Sequence, residues 1–208
     1  MSGQLFLAAA LLSLPAYATA QTTMPEPGIW TNVEDTYFAE EESRIKAGTV
    51  YYQFAADGRW RLLDSFGEPV GEWQDAAPDG LAATGDGTWS VNDSELRRAR
   101  PFTCWISVRK FAGKPDGSSD WTFARDLDIF DQGGRIAMPG KGEAPDMTLR
   151  MRNVTWARNS RNTPSLVIYL HRDDPERAET YSWASPDATL VGINARWAQA
   201  SCSPKETN

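Results

Sequence analysis

Apolar and polar side chains alternate with a period of two along most of this 208-residue chain. In residues 165–172, SLVIYLHR, three aliphatic side chains face one way, whereas Val167, Tyr169 and His171 face the other. A period of two places successive side chains on opposite faces of a β-strand. Turn residues follow about every ten positions, which is typical of sandwiches and barrels. The pattern predicts an all-β fold, a single antiparallel β-barrel or sandwich of about 10–12 short strands.

The strands of the second half can be bounded from their alternation and from the turn residues between them. We expect eight there, at 102–110, 121–125, 127–130, 135–138, 147–156, 165–172, 179–183 and 189–199.

One segment departs from the period of two. Residues 33–48, VEDTYFAEEESRIKAG, carry acidic side chains in the first turns and basic ones in the last, with Asn32 as a cap and Gly48 as a stop. This segment predicts one N-terminal helix.

The N-terminus has the pattern of an export signal. An apolar run at 5–14 is broken by Pro15 and followed by Ala18-Thr19-Ala20, a small-x-small cleavage pattern. Residues 1–20 are therefore expected to be a signal peptide, and residues 21–208 a single β domain. The run is too short to span a membrane, and no later segment is apolar enough to do so as a helix. The expected location is exported, either periplasmic in a bacterium or secreted.

The chain has two cysteines, Cys104 and Cys202. In an exported protein an even number of cysteines predicts a disulfide. The pair would close a loop of about 100 residues and stabilise the fold by roughly 4 to 5 kcal/mol in the chain-entropy model.

The formal net charge is -7 and the isoelectric point is near 4.8. Phosphate backbones are bound by clustered Lys and Arg, so an acidic chain is a poor candidate for nucleic acid or for an anionic lipid surface. The composition does not decide the oligomeric state.

The segment YYQFAADGRWRLL predicts a β-hairpin, for which two registers are possible. A two-residue Asp-Gly loop mixes apolar and polar side chains on each face. A three-residue loop at 56–58 instead sets Phe54 opposite Trp60 and Tyr52 opposite Leu62. Because a slip of one residue moves every side chain to the other face, burial favours the three-residue loop.

Nine tryptophans lie in the chain, all of them after residue 20. Exposed aromatic platforms bind sugars and aromatic side chains line ligand pockets, but a tryptophan-rich β-core is the commoner use. The hairpin register places Trp60 in the core and Arg59 and Arg61 on a solvated face. Alternation along 189–199 likewise places Trp197 in the core.

The segment MTLRMRNVTW is the candidate ligand site. Its first face is apolar, and its second carries Thr148, Arg150 and Arg152 and continues to Val154 and Trp156. Guanidinium groups form paired hydrogen bonds to carboxylates and stack on rings. Arg150, Arg152 and Trp156 are therefore the candidate ligand-binding residues for an acidic or sugar ligand. The alternative is ordinary exposed cross-strand salt bridges. The apolar end predicts that this face becomes buried, or that a bulge swaps the faces.

Residues for catalysis or metal binding are scarce. The chain has one histidine, so a multi-histidine metal site is impossible, and His171 at a strand end is expected on the surface. A glycosidase needs two facing carboxylates, but Asp126, Asp128, Glu72 and Glu179 have no partner that the pattern can place. We therefore assign no catalytic residue, metal or cofactor.

Four short pieces, the tripeptide Gly28-Ile29-Trp30 and the motifs FAADGRW, GEW and DGTWSV, resemble the lipocalin-like (calycin) β-barrels. They lie within residues 28–91. The resemblance implies a barrel with a pocket for an apolar small molecule, and Arg196 as the residue that covers the first-strand tryptophan.

These observations favour an exported, non-catalytic β-protein that binds a small apolar or lipid-like ligand. The alternatives are a polysaccharide-active enzyme with a carboxylate pair, a structural or assembly protein of the cell envelope, and an integral outer-membrane barrel. The last is disfavoured because the strands are short and the C-terminus is polar.

Overall fold

The computed structural model describes residues 24–32, 49–109, 121–158 and 161–205, with the side chains of 155–158 and 161–163 left undescribed. Within these ranges the protein is all-β and contains no helix. The strands form three antiparallel sheets, none of which closes into a barrel, and the arrangement is sandwich-like. The predicted signal peptide at 1–20 and the predicted helix at 33–48 lie outside the described residues.

The described residues form 14 strands, more than the 10–12 expected. They are β1 (Gly28–Thr31), β2 (Tyr51–Phe54), β3 (Trp60–Leu63), β4 (Leu81–Gly85), β5 (Thr88–Val91), β6 (Ser94–Arg98), β7 (Pro101–Arg109), β8 (Trp121–Phe130), β9 (Gln132–Met138), β10 (Met147–Arg158), β11 (Arg161–Arg172), β12 (Ala178–Ala184), β13 (Val191–Asn194) and β14 (Ala198–Pro204).

The first six strands make one sheet in the order β3-β2-β1-β6-β5-β4. The β2–β3 hairpin has the register of the three-residue loop, with Phe54 paired to Trp60 and Tyr52 to Leu62. Gly58 closes the loop with a φ of 84°, a conformation that costs glycine little. Burial of the apolar face therefore selects the register as predicted, and half-buried Trp60 packs against the core of this sheet.

The remaining eight strands make two four-stranded sheets, ordered β12-β11-β10-β9 and β13-β14-β7-β8. One face of each sheet is apolar, and the two faces pack together as a sandwich. The largest contributions to this shared core include Phe102, Ile106, Leu149, Met151, Ile168 and Leu170.

The strand expected at 189–199 is wrong, because the structure divides it into β13 and β14. A tight turn separates them, in which the Ala195 N–H donates to the Ala198 carbonyl oxygen at 2.8 Å. The turn reverses the chain so that β14 pairs with β13 on one side and β7 on the other. Trp197 is buried as expected, but from the turn rather than from a continuous strand.

The six-stranded sheet is joined to the sandwich around the β8–β9 turn. The ring of Tyr51 packs edge-on against Phe130, with 5.1 Å between centroids. The buried Asp131 carboxylate accepts hydrogen bonds from the Arg100 side chain at 2.7 Å and from the Asn153 amide at 2.9 Å. One carboxylate therefore ties the end of the first sheet to β10.

The predicted disulfide is present. Cys104 of β7 and Cys202 of β14 are directly paired, and both are buried in the sandwich core. Within the described residues no helix has the length and apolar character needed to cross a membrane. The disulfide is consistent with an exported protein.

Candidate functional site

The outer face of the β9–β12 sheet carries a cluster of buried cationic and polar side chains. On β10 it presents Thr148, Arg150 and Arg152, as the alternation predicts, whereas the opposite side of the strand enters the sandwich core. Arg150 and Arg152 are each only 2% exposed. The prediction that this face becomes buried is thus confirmed, and the alternative of exposed cross-strand salt bridges is wrong for these two side chains.

A third arginine comes from the neighbouring strand. In the register of the sheet, Arg150 lies between Arg135 of β9 and Tyr169 of β11. Arg135 is buried as well. Like charges directly opposite each other on paired strands repel, and repulsion is stronger in a buried, poorly solvated place. We refer to Arg135, Arg150 and Arg152 as the arginine cluster.

The charge of the cluster perturbs its own members. Burial, together with the positive charges of Arg152 and Arg135, lowers the pKa of Arg150 to about 10. Arg135 forms a two-pronged ion pair with Glu176, at 2.8 and 3.3 Å. Hydrogen bonding to that guanidinium lowers the pKa of the Glu176 carboxyl, so Glu176 stays ionised. This carboxylate is half exposed, so water screens its effect on the cluster.

His171 is part of the same face and is fully buried, so its expected surface position is wrong. It pairs with Thr148 on β10, one cross-strand row away from Arg150. Burial, followed by the positive charges of Arg135 and Arg150, lowers the pKa of the imidazole to about 4. The ring is therefore neutral at pH 7 and has one N–H donor and one acceptor nitrogen.

The six-stranded sheet contributes Tyr51 to the cluster. A Cβ atom at Gly133 would lie 2.7 Å from the Tyr51 hydroxyl and 4.0 Å from an Arg150 nitrogen, so both groups meet over this glycine. Gly133 has a φ of 95°, and its lack of a side chain allows this close approach. Burial raises the pKa of Tyr51, although all three arginines of the cluster act to lower it.

Several buried polar atoms of this face have no hydrogen-bond partner among the described residues. They are both ring nitrogens of His171, the Tyr51 hydroxyl, Nε of Arg135 and Oε1 of Gln132. Buried polar groups are normally satisfied, so each such atom calls for an explanation such as a bound group.

Two cavities lie near this face, and both are lined by neighbours of the arginine cluster rather than by its three arginines. One of about 300 Å³ is lined by Thr148, His171 and Asp173 among others. The second, of about 430 Å³, is lined by Gln132, Asn153 and Val154 among others. Volumes in this range are those of small-molecule sites.

Trp156, the third predicted ligand-binding residue, belongs to β10, where its backbone pairs with Thr163 of β11. Its side chain lies outside the described residues, so its part in the site stays a prediction. The sequence missed Arg135, His171 and Tyr51 as members of the site. Alternation on each strand could have shown which way these side chains point, but not that three separate strands bring them together.

The four carboxylates considered for catalysis are exposed, and two of them contact other groups. Asp128 pairs with Lys205 at 2.8 Å, and Glu179 accepts a hydrogen bond from the Trp197 indole at 3.0 Å. Within the described ranges, no three His, Cys, Asp or Glu side chains are grouped so as to hold a metal ion.

Comparison of the chain with protein-family models, curated proteins and solved structures finds no significant match. The site is therefore interpreted from its own geometry.

Proposed function

We propose that this protein is an exported, non-catalytic β-protein that binds a small lipid-like ligand with an anionic group. The anionic group, a carboxylate, phosphate or sulfate, would lie at the arginine cluster, and an apolar body would lie beside it. The observation that carries this proposal is the burial of three arginines on adjacent strands, next to a neutral histidine and a tyrosine hydroxyl without partners among the described residues.

Charge supports an anionic group. A negative ligand would interact favourably with the three guanidinium groups of the arginine cluster, one of which also pairs with Glu176, and each group offers N–H donors in a planar fork. The neutral His171 and the Tyr51 hydroxyl add donors that need no counter-charge. Guanidinium forks suit the planar geometry of carboxylates and the oxygens of phosphates.

Apolar side chains next to the cluster support a lipid-like body. On the same face, Val154 and Val167 are buried, and Tyr181 and Trp183 stand exposed on the edge strand β12. The larger cavity is also lined by Pro164 and other apolar groups. A ligand with one charged end and one apolar end would match the change from charged to apolar side chains across this face.

The experiment is thermal unfolding of the purified protein with four probes of related structure below their micelle concentrations. Decanoate combines the anion with the chain, acetate has only the anion, decanol has only the chain, and decyltrimethylammonium reverses the charge. We expect decanoate to raise the unfolding midpoint and the other three to have much smaller effects, because stabilisation follows ligand affinity.

Variants of the arginine cluster test whether decanoate binds at the proposed site. Replacing Arg150 or Arg152 with Gln should weaken decanoate binding about tenfold to a hundredfold, the range for one charged hydrogen-bonding group. The matched control is Arg125→Gln, because Arg125 is an exposed strand arginine on the other sandwich sheet. Equal stabilisation by decanoate and decanol, or equal loss of binding in the control, would contradict the proposal.

Native mass spectrometry of the protein purified from its own host complements this test. A mass above that of the chain, lost on activation, would identify a retained ligand. If the protein carries no ligand and binds none of the probes, the polysaccharide-active enzyme and the envelope protein become the leading hypotheses.

A further inference from the structure

Three large aromatic side chains are exposed together on the outer face of the other sandwich sheet. Trp105 of β7 is 40% exposed, and Phe123 and Trp121 of β8 are 49% and 50% exposed. This face lies on the opposite side of the sandwich from the arginine cluster, since the two sheets pack through their inner faces. We call these three side chains the aromatic platform.

The sheet register holds the platform together. Phe123 pairs with Ser107, two residues beyond Trp105 on the same face of β7, and Trp121 pairs with Arg109. Diagonal neighbours of this kind are within reach of aromatic side chains. The rings of Trp105 and Phe123 have centroids 6.4 Å apart and planes inclined by 35°. Trp105 and Phe123 are therefore adjoining rings, and Trp121 lies two residues from Phe123 on the same face of β8.

Small polar side chains continue the same face beside the rings. Ser201 of β14 pairs with Trp105, and Gln199 pairs with Ser107. The Gln199 amide donates to the Asn194 side chain on β13 at 3.1 Å. Hydroxyl and amide groups that donate and accept hydrogen bonds therefore lie directly next to an apolar stacking surface.

The charges near the aromatic platform and its exposed area indicate what kind of partner it can bind. The charges near the platform are of both signs: Arg125 stacks over Phe123 at 5.5 Å, the exposed Asp126 follows it, and Asp128 pairs with Lys205. Aromatic side chains of about 150–250 Å² each, exposed by roughly half, present about 300 Å² together. A stable protein partner needs about 800 Å² on each side. A narrow, uncharged ligand fits better than a protein or a charged membrane.

We infer that the aromatic platform binds a neutral polysaccharide chain. A pyranose ring has an apolar C–H face that stacks on an aromatic ring and hydroxyls at its edge that bond to amide and hydroxyl side chains. Successive sugar rings would stack along Trp105, Phe123 and Trp121, and the hydroxyl edges would reach Gln199 and Ser201. This site is separate from the proposed function, which belongs to the other sheet.

The test is isothermal titration of the full protein with cellohexaose, chitohexaose, xylohexaose and maltohexaose, with polygalacturonate as an acidic comparison. At least one neutral hexasaccharide should bind, and quenching of tryptophan fluorescence should accompany binding. The double variant Trp105→Ala/Phe123→Ala should bind that sugar at least tenfold more weakly. Its free energy of unfolding should fall by only about 1 kcal/mol, the range for one cross-strand aromatic pair, because both side chains are about half exposed. Phe66→Ala, an exposed aromatic side chain outside both proposed sites, is the matched control and should bind the sugar normally.

Four outcomes would overturn the inference. They are the absence of binding by every neutral hexasaccharide, binding by the acidic polymer alone, equal weakening by the Phe66 control, and a dimer in sedimentation that the double variant dissociates. Binding of decanoate is measured in the same double variant. If decanoate still stabilises it, the arginine cluster acts independently of the platform, so the two proposals can fail separately.

Discussion

His171 is the only histidine of the chain, so its titration can be measured without ambiguity. In the unfolded chain the imidazole has its ordinary pKa of 6.5, whereas in the fold its pKa is about 4. As the pH falls through 6.5, the unfolded chain takes up a proton that the folded protein does not, and the free energy of unfolding decreases. The decrease continues until the folded protein also takes up the proton near pH 4.

The size of the effect follows from the two pKa values. Their difference corresponds to a total loss of about 3 kcal/mol once both states are protonated. Between pH 7 and pH 5 the loss is about 2 kcal/mol, because the unfolded imidazole is then almost fully charged and the folded one is still mostly neutral. Burial is the main cause of the low folded pKa of His171; the charges of Arg135 and Arg150 lower it further, and those of Glu176 and Asp174 raise it.

The assay compares urea unfolding of the wild-type protein and of His171→Phe at pH 7 and pH 5. Phenylalanine keeps the ring shape and does not titrate, and the carboxylates contribute equally to both proteins. We expect the wild type to lose about 2 kcal/mol more than the variant over this range. A titration of the single imidazole by NMR gives the folded pKa directly, whatever the stability of the variant.

Equal losses of stability in the two proteins, together with an imidazole resonance that titrates near 6.5, would refute this reasoning. His171 would then be solvated and outside the field of the arginine cluster, and the proposed ligand site would lose one of its members.

The remaining predictions concern stability, and each is measured by chemical unfolding. Replacing Cys104 and Cys202 together by Ala should lower the free energy of unfolding by up to about 4 to 5 kcal/mol, because their sequence separation is 98 residues; an unchanged midpoint would argue against the cross-link. Gly134→Ala should cost about 1–3 kcal/mol, since the new Cβ would lie 2.5 Å from the last carbonyl oxygen of β8, whereas Gly71→Ala meets no atom within 4 Å and should be nearly neutral. Asp131→Ala should cost about 1–3 kcal/mol, because the Arg100 backbone N–H and the Asn153 amide lose their buried acceptor; a loss below 1 kcal/mol would mean that this link is not structural.

Several features could be predicted from the sequence because they depend on neighbours along the chain. The hairpin loop at 56–58 follows from which register separates apolar from polar side chains. The split of β10 into an apolar face and an arginine face follows from the period of two alone. The disulfide follows from having two cysteines in a chain with an export pattern, where no other pairing within the molecule is possible.

The environment of those same side chains could not be predicted. Arg150, Arg152 and His171 were each assigned the correct face, but whether that face meets water depends on what packs over the sheet. Tyr51 is more than 80 residues away in sequence from Arg135, and only the junction of the first sheet with the sandwich brings its hydroxyl to the cluster.

By itself, the sequence determined the all-β class, the faces of β10 and β11 and the disulfide pairing, because these depend on local periodicity and on residue type. Only the tertiary structure decided that three arginines and a histidine become buried neighbours, that 189–199 divides at a turn, and that three aromatic side chains remain exposed. Burial and charge repulsion depend on contacts between strands distant in sequence, and a period of two is the same for a strand face that is covered and for one that is open to water.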